Sequence, residues 1–496
     1  MQLRFHGTPE KHQIETMAGG IAAFDFDSDG WTDLFFTNGA PQPSLRKVAP
    51  EDCNRLYRNT GGGKFVDVTE HAGICGTGYD QGVAIGDFDN DGHPDLFVGG
   101  VRESALWRNL GDGRFERRLL PVAGWSVGGG WFDYDRDGDL DLFVVRYVNW
   151  DPSTEIFCGN RKENYRTYCH PKFYSGLSNQ LLRNDAGRFV DVSQAAGIAR
   201  HVGKGMAVAF GDLDGDGWLD AFVTNDTERN FLFRNRSDGT FEEVGEQAGV
   251  AFNDDGRALS SMGVEFRDID NDGREDIFLS ALANETYPLY KNMGRGLFKD
   301  VTYLSKIGKS TMPYSGWSCG IYDFDLDGRK DIFTANGDVQ TNTELFSGRS
   351  AKQRNLLLRN AGTDGFTAEL VGTPGLHRGA AFADFDRDGR IDVAVTELGE
   401  QPVILRNNMG SGRHWLAIEL RGKEANRDGL GAIVRVGEQV NRATTAVGYA
   451  SSSSKTVFFG LGDTDEVPPV VVIWPGGKAQ RLENVRADQY LTVSEP

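Results

Sequence analysis

Asp25-Phe26-Asp27-Ser28-Asp29-Gly30-Trp31-Thr32-Asp33 places four carboxylates at positions one, three, five and nine of a nonapeptide, with glycine at six. The pattern Asp-x-Asp-x-Asp-Gly-x-x-Asp recurs seven times, and every copy keeps all four Asp and the Gly. The candidate metal ligands are therefore Asp25, Asp27, Asp29 and Asp33; Asp87, Asp89, Asp91 and Asp95; Asp133, Asp135, Asp137 and Asp141; and Asp212, Asp214, Asp216 and Asp220. The remaining copies supply Asp268, Asp270, Asp272 and Asp276; Asp323, Asp325, Asp327 and Asp331; and Asp384, Asp386, Asp388 and Asp392. Alternate carboxylates can curl around one hard cation, and the glycine permits the sharp turn, as in an EF-hand loop. A backbone carbonyl at seven and Asp at nine would complete the shell. Two like charges at ~4 Å repel by about 4 kcal/mol at an effective dielectric of 20, so such a crowd calls for a cation. Oxygen-only ligands favour Ca²⁺ over zinc or copper, and a flexible shell favours it over Mg²⁺. About seven Ca²⁺, one per copy, are expected, as folding elements and not as catalysts.

The repeat also accounts for the net charge. The chain has 496 residues, with 53 Lys+Arg against 72 Asp+Glu, a formal −19. Without the repeat's Asp residues the balance would be positive, and seven divalent cations would bring the loaded protein near neutrality. An acidic chain of this kind excludes phosphate-backbone binding, so no nucleic-acid partner is expected. No apolar run approaches the roughly 20 residues of a membrane span.

Each Asp loop opens a larger unit. An apolar strand follows its last Asp, as in Leu34-Phe35-Phe36 and Leu96-Phe97-Val98. A basic residue followed by Asn comes next, at Arg58-Asn59, Arg108-Asn109, Arg183-Asn184, Arg234-Asn235, Lys291-Asn292, Arg359-Asn360 and Arg406-Asn407. A Gly-rich turn and a further strand usually close the unit. Five residues before each first Asp stands a small residue: Gly20, Gly82, Gly128, Ala207, Gly263, Ser318 and Gly379. A strand must pass close to other backbones there. Four short strands per unit, with no helical periodicity, predict an all-β fold. Its expected form is a seven-bladed β-propeller with calcium-binding loops, over residues 1–408, followed by a small C-terminal β domain over 409–496.

In units two, four, five and seven the last Asp and the Asn of the basic pair stand 14 to 16 positions apart. In units one, three and six they stand 26, 43 and 29 apart, because of extra segments near 38–54, 146–178 and 337–354. Equivalent positions share one face of a propeller, so these long loops should cluster there as a binding surface, or as a lid over the mouth. The longest carries Arg146, Tyr147, Trp150, Arg161, Lys162, Tyr165, Arg166, Tyr168 and His170. That composition suits a protein, peptide or carbohydrate ligand. His201, Lys204, His377, Arg378 and Asp80 precede inner strands and are candidates for a pocket at one channel mouth, or ordinary polar positions.

Cys158 and Cys169 lie within the third insertion and can staple it, whereas Cys53 and Cys75 flank the first Arg-Asn strand. Cys319 falls on an expected inner strand and should be buried and free. Disulfides imply an oxidising compartment. Met1-Gln2-Leu3-Arg4 begins no signal peptide, so the expectation is a secreted or periplasmic protein whose signal lies outside this chain.

The tail after Asn408 alternates strands without Asp loops, as in His414–Leu420, Gly431–Val436, Val457–Gly462 and Val470–Trp474. Asn426-Arg427-Asp428-Gly429-Leu430-Gly431-Ala432, Gly448-Tyr449-Ala450-Ser451-Ser452-Ser453, Phe459-Gly460-Leu461-Gly462 and Trp474-Pro475-Gly476-Gly477 resemble the ASPIC/UnbV domain. The Asp repeats resemble the FG-GAP/VCBS repeats of integrin α-subunit propellers and secreted bacterial proteins. Together with Glu15-Thr16-Met17-Ala18-Gly19-Gly20, these features are similar to the cartilage acidic protein family and its bacterial homologues. The resemblance implies a secreted Ca²⁺-binding propeller with adhesive or matrix roles in animals. Some bacterial members lie in enediyne biosynthesis clusters, and with no EGF-like extension after the tail the chain reads as a bacterial-type member.

The functional expectation is a non-enzymatic binding or adhesion module for an unidentified extracellular protein or glycan. The alternative is an enzyme or accessory protein acting on polysaccharide or in enediyne-type biosynthesis. Gly316-Trp317-Ser318-Cys319-Gly320 matches a nucleophile elbow, but that motif needs a strand-to-helix turn, and this copy sits on an expected inner strand. The eight His form no His-Glu-x-x-His zinc motif.

Overall fold

The computed structural model describes residues 2–163 and 165–496. Among the described residues the longest helix is the five-residue Ile307–Thr311, and the strands pair antiparallel except at Ile21–Ala22 with Ser451–Ser452 and His414–Arg421 with Gln489–Ser494. Within a unit the apolar run after the Asp loop folds back onto the strand before it. In the first unit Asp33–Phe36 pairs with Ile21–Phe24, setting Ile21 opposite Phe36 and Phe24 opposite Asp33. Arg55–Asn59 adds as third strand and Phe65–Asp67 as fourth. Seven such sheets follow one another, each in simple meander order, and the last has three strands, ending at Val403–Leu405.

The central strands are apolar on both sides because each sheet packs face to face on two neighbours. A separate apolar cluster fills each gap between adjacent sheets. One joins Phe132 and Phe143 of the third sheet to Phe210 and Val223 of the fourth. Another joins Phe385 and Ala394 of the seventh to Ile21 and Phe36 of the first. The innermost strands, Ile21–Phe24, Asp80–Gly86, Ser126–Phe132, Gly205–Gly211, Val264–Arg267, Gly316–Tyr322 and His377–Ala383, touch their neighbours in that order, and the last touches the first. The result is a closed, propeller-like ring. The small residues before the Asp loops are explained by this crowding: a Cβ on Gly82 would be driven into the Val127 carbonyl oxygen, and one on Gly20 into that of Gln81.

The tail forms two further sheets around Leu416, Ile418, Val434, Phe459, Val472 and Trp474. It does more than dock after the ring. The segment around 443–454 runs along the ring's axis and meets the inner strand of every sheet. Ser451–Ser452 pairs in parallel with Ile21–Ala22, and Val83 and Val264 donate backbone hydrogen bonds to Ala450 and Gly448. Gly128 faces the Cα of Ala450, and Met206, Ala207 and Val208 line a small gap beside Val447. Tyr449 N–H donates to Ser318 Oγ at 3.1 Å, and Phe382 N–H to Ser453 Oγ at 3.2 Å. The run of Gly, Ala and Ser in this segment fits a strand threaded where seven backbones converge.

Candidate metal centres

All seven nonapeptides fold the same way. The carboxylate of the first Asp accepts the N–H of the glycine at six, at 2.7 to 3.2 Å in every copy. That glycine holds φ between +86° and +92°, the left-handed region that disfavours a Cβ. Position four also turns left-handed: Ser28, Asn90, Arg136, Asn271, Leu326 and Arg387 have φ of +58° to +60°. No sequence signal marked this second turn, because only the fourth copy places glycine there, at Gly215.

Carboxylate oxygens of Asp25, Asp27 and Asp29 come within 4.8 Å of one another. In the second to fifth loops the set so gathered is positions one, three and nine, as in Asp87, Asp89 and Asp95 or Asp212, Asp214 and Asp220. The fifth-position Asp is turned to the backbone N–H two residues on and, in several loops, to an arginine, as Asp91 is to His93 N–H and Arg108. Among the described residues, buried oxygens of Asp27, Asp133, Asp135, Asp331 and Asp386 have no hydrogen-bond donor. Leaving such atoms without partners is unfavourable. Oxygen-only donors converging at this spacing fit a hard divalent cation such as Ca²⁺. Burial, with repulsion from neighbouring carboxylates, lifts Asp33 to about 8, Asp95 to about 9 and Asp331 to about 8. Without a cation, these groups would hold protons at neutral pH.

The basic-Asn pair, a signature with no assigned role in the sequence, is the brace of each loop. The Asn backbone N–H donates to the ninth-position Asp at 2.7 to 2.9 Å in all seven units. Its side-chain Nδ2 reaches the carbonyl at position two of the preceding unit's loop: Asn109 to Phe26, Asn184 to Phe88, Asn235 to Tyr134, Asn292 to Leu213, Asn360 to Ile269 and Asn407 to Phe324. Asn59 closes the circle on Phe385 at 2.8 Å. In five units the basic residue covers the third-position Asp: Arg58–Asp27, Arg108–Asp89, Lys291–Asp270, Arg359–Asp325 and Arg406–Asp386. In the third and fourth units Arg183 and Arg234 pair with Asp185 and Glu242 instead.

The three insertions meet at the opposite end of the ring, where they form a packed lid. Gln340 exchanges two hydrogen bonds with the Tyr168 backbone, and Tyr165 stacks on Phe346 with centroids 6.0 Å apart. Buried Glu15 accepts from Gln42 of the first insertion at 2.9 Å and from the Tyr168 hydroxyl of the third at 3.0 Å. Glu155 accepts from Gln13 N–H and the Trp150 indole. Tyr147, Trp150 and Tyr168 thus pack inside, whereas Arg161, Lys162 and His170 stay exposed. Neither glutamate nor the lid's wiring was readable in advance, since these segments occur once.

The other sequence candidates are dispersed. Arg378 is fully buried over the Trp317 ring, 4.0 Å from its centroid, and donates to the carbonyls of Thr16, His377 and Asp338. Asp80 pairs with Lys47 and Lys204 with Glu228, in different units. Ser318 Oγ is held between Tyr449 N–H and the Ala380 carbonyl on a buried strand, which removes it as a nucleophile. Cys53–Cys75 and Cys158–Cys169 are disulfides, and Cys319 is buried and free.

Models of the FG-GAP-like repeat match residues 25–98, 88–144, 148–223, 212–279 and 268–334. The chain belongs to the FG-GAP-like repeat family. Residues 422–496 match the ASPIC and UnbV domain, and the seventh Asp loop, beyond the matched repeats, has the same geometry as the rest. Human cartilage acidic protein 1 is 29% identical over 480 residues, covering 81% of this chain and 70% of the human protein. The mouse protein of that name is 28% identical over 303 residues, which is 58% of this chain and 44% of the mouse protein. Among solved structures, an Agrocybe aegerita lectin that recognises non-reducing terminal N-acetylglucosamine superposes with a TM-score of 0.43 at 16% identity, covering 78% of this chain and 94% of the lectin. YCF48 bound to D1 peptide gives 0.43 at 7% identity, covering 82% and 93%. Nothing about function follows from structural likeness of that degree.

Proposed function

We propose that this protein is a secreted, calcium-stabilised seven-bladed β-propeller, residues 1–408, completed by a β domain, 409–496, and that it acts as an extracellular binding module. Each Asp loop holds one Ca²⁺, for which its four Asp residues are the ligand set, and the cation's work is structural. The observation that carries this reading is the sevenfold recurrence of one loop geometry, joined in the first, third, sixth and seventh loops by buried carboxylate oxygens that none of the described residues satisfies. Two disulfides support an oxidising, extracellular setting.

The ligand, an extracellular protein or glycan, is assigned to the outward surface of the insertion end. There Ile156, Phe173, Leu345 and Phe346 remain 40 to 60% exposed, and Arg161 and Lys162 lie on the same loops. Apolar side chains beside arginine are the usual makings of an interface.

Chelation tests the calcium reading. A ligand bound only by the folded state at 100 times its dissociation constant adds about 2.7 kcal/mol per site. Seven sites predict that EDTA lowers the thermal midpoint by about 10 °C or more and that Ca²⁺ restores it. An unchanged midpoint would refute the structural role.

A further inference from the structure

The fourth Asp loop shares with the third a departure from the rest of the repeat. Its third-position carboxylate, Asp214, lacks the cover of its own unit's arginine, because Arg234 turns to Glu242 at 2.7 Å. The place above it opens into a crevice between the ring and the C-terminal domain, about 260 Å³ in volume. Ile433 and Val440, from two strands of the C-terminal domain, give the crevice an apolar wall. Arg295 reaches in from the turn after Asn292, and Arg435 from the C-terminal domain. Among the described residues neither guanidinium has an ion-pair or hydrogen-bond partner. By contrast, the crevice's other arginines are engaged: Arg442 clasps Glu275, and Arg274 pairs with Asp272 and the Asn292 carbonyl.

We propose that this crevice binds a small organic oxyanion, a carboxylate or sulfate group carried on a compact body such as an acidic monosaccharide. Arg295 and Arg435 hold the anion, and Ile433 and Val440 cover its apolar edge. Guanidinium groups match carboxylate and sulfate oxygens in two-point contacts, which makes free arginines facing a cleft a specific feature. The apolar wall favours an anion on an organic body over a bare inorganic ion, whose hydration it would remove without return. The inference rests on the calcium reading in one respect. Asp212 and Asp214 would repel an anion unless a cation in the loop offsets them, so binding requires loaded protein. It also requires both parts of the chain, since each supplies one arginine.

Isothermal titration calorimetry on the calcium-loaded full chain, with glucuronate, glucose and inorganic sulfate as probes, tests the proposal. Glucuronate should bind and glucose should not. Sulfate binding while glucuronate stays silent would overturn the organic-anion assignment and leave the arginines to a free ion. The double substitution Arg295→Ala and Arg435→Ala should weaken anion binding by about tenfold to a hundredfold while leaving the thermal midpoint and calcium uptake unchanged, because both side chains are unpaired. Arg435→Lys alone should retain part of the affinity, because a lysine keeps the charge but not the two-point contact. Silence from both anions, glucose binding as well as glucuronate, or anion affinity that survives the double substitution overturns the proposal. Calcium uptake measured separately keeps the two readings apart: absent uptake defeats the calcium assignment, whereas normal uptake without arginine-dependent anion binding defeats only this one.

Discussion

At one end of the ring seven loops repeat the same hydrogen bonds, from the glycine at six to the first Asp and from Asn to the ninth. At the other end Glu15 and Glu155 each collect donors from segments that occur once in the chain. Both ends are closed, yet by different means. The Asp-loop end is closed by carboxylate loops that repeat one hydrogen-bond pattern and is covered by the C-terminal domain. The insertion end is closed by neutral donors around buried glutamates and by Trp125, Trp150 and Trp317 in one apolar cluster. A periodic solution can be lost or gained copy by copy. The singular one has no spare.

Four substitutions probe that contrast, and the largest effect belongs to the residue that joins the two ends. Tyr449 enters the axis from the C-terminal domain, is fully buried, lies 5.0 Å from the Trp317 ring and donates to the Met17 carbonyl at 2.9 Å. Tyr449→Ala should destabilise the whole chain by about 3–5 kcal/mol. Denaturant unfolding should show ring and C-terminal domain melting together. A ring transition unmoved by the substitution would mean the axial segment is an ornament.

The insertion end should also set an acid limit. Burial, helped by nearby Arg378 and Lys352, pushes His377 down to about 4, and its Nδ1 lies 3.1 Å from the Asn336 carbonyl. The unfolded chain takes up this proton near pH 6.5 and the folded one does not, so the stability is present above 6.5 and lost as pH falls towards 4. The loss should reach about 3 kcal/mol across that window. His377→Gln should flatten that part of the stability–pH curve, and an unaltered slope would place the acid sensitivity elsewhere.

A smaller, repeatable effect is expected at the Asp-loop end. Asn59→Ala removes the side-chain bonds to the Thr32 and Phe385 carbonyls and should cost about 2 kcal/mol. Asn109→Ala, which removes the equivalent pair, should cost the same. A much larger loss at Asn59 alone would show that ring closure depends on one joint.

The difference between the ends also explains what the sequence made readable. Seven copies of one nonapeptide expose both the loop and the strand pairs around it, and the small residues at Gly20 and Gly82 announce the crowded axis. The left-handed turn at Leu326 or Arg387 leaves no such trace, since the surrounding loop imposes it on residues with no preference for it. Glu15 looked like any glutamate before a strand, because its partners Gln42 and Tyr168 are brought to it only by the closed ring. The axial course of 443–454 was equally hidden: Gly448-Tyr449-Ala450-Ser451 marked a family, not a location.

The most direct test of the account is the calcium count of the purified full chain, measured by elemental analysis after equilibration in calcium and removal of free ion. One ion per Asp loop predicts saturation at seven, with the count falling by one when Asp87 and Asp89 are both changed to Asn. A folded chain that saturates with a single ion, or that carries none, would contradict it.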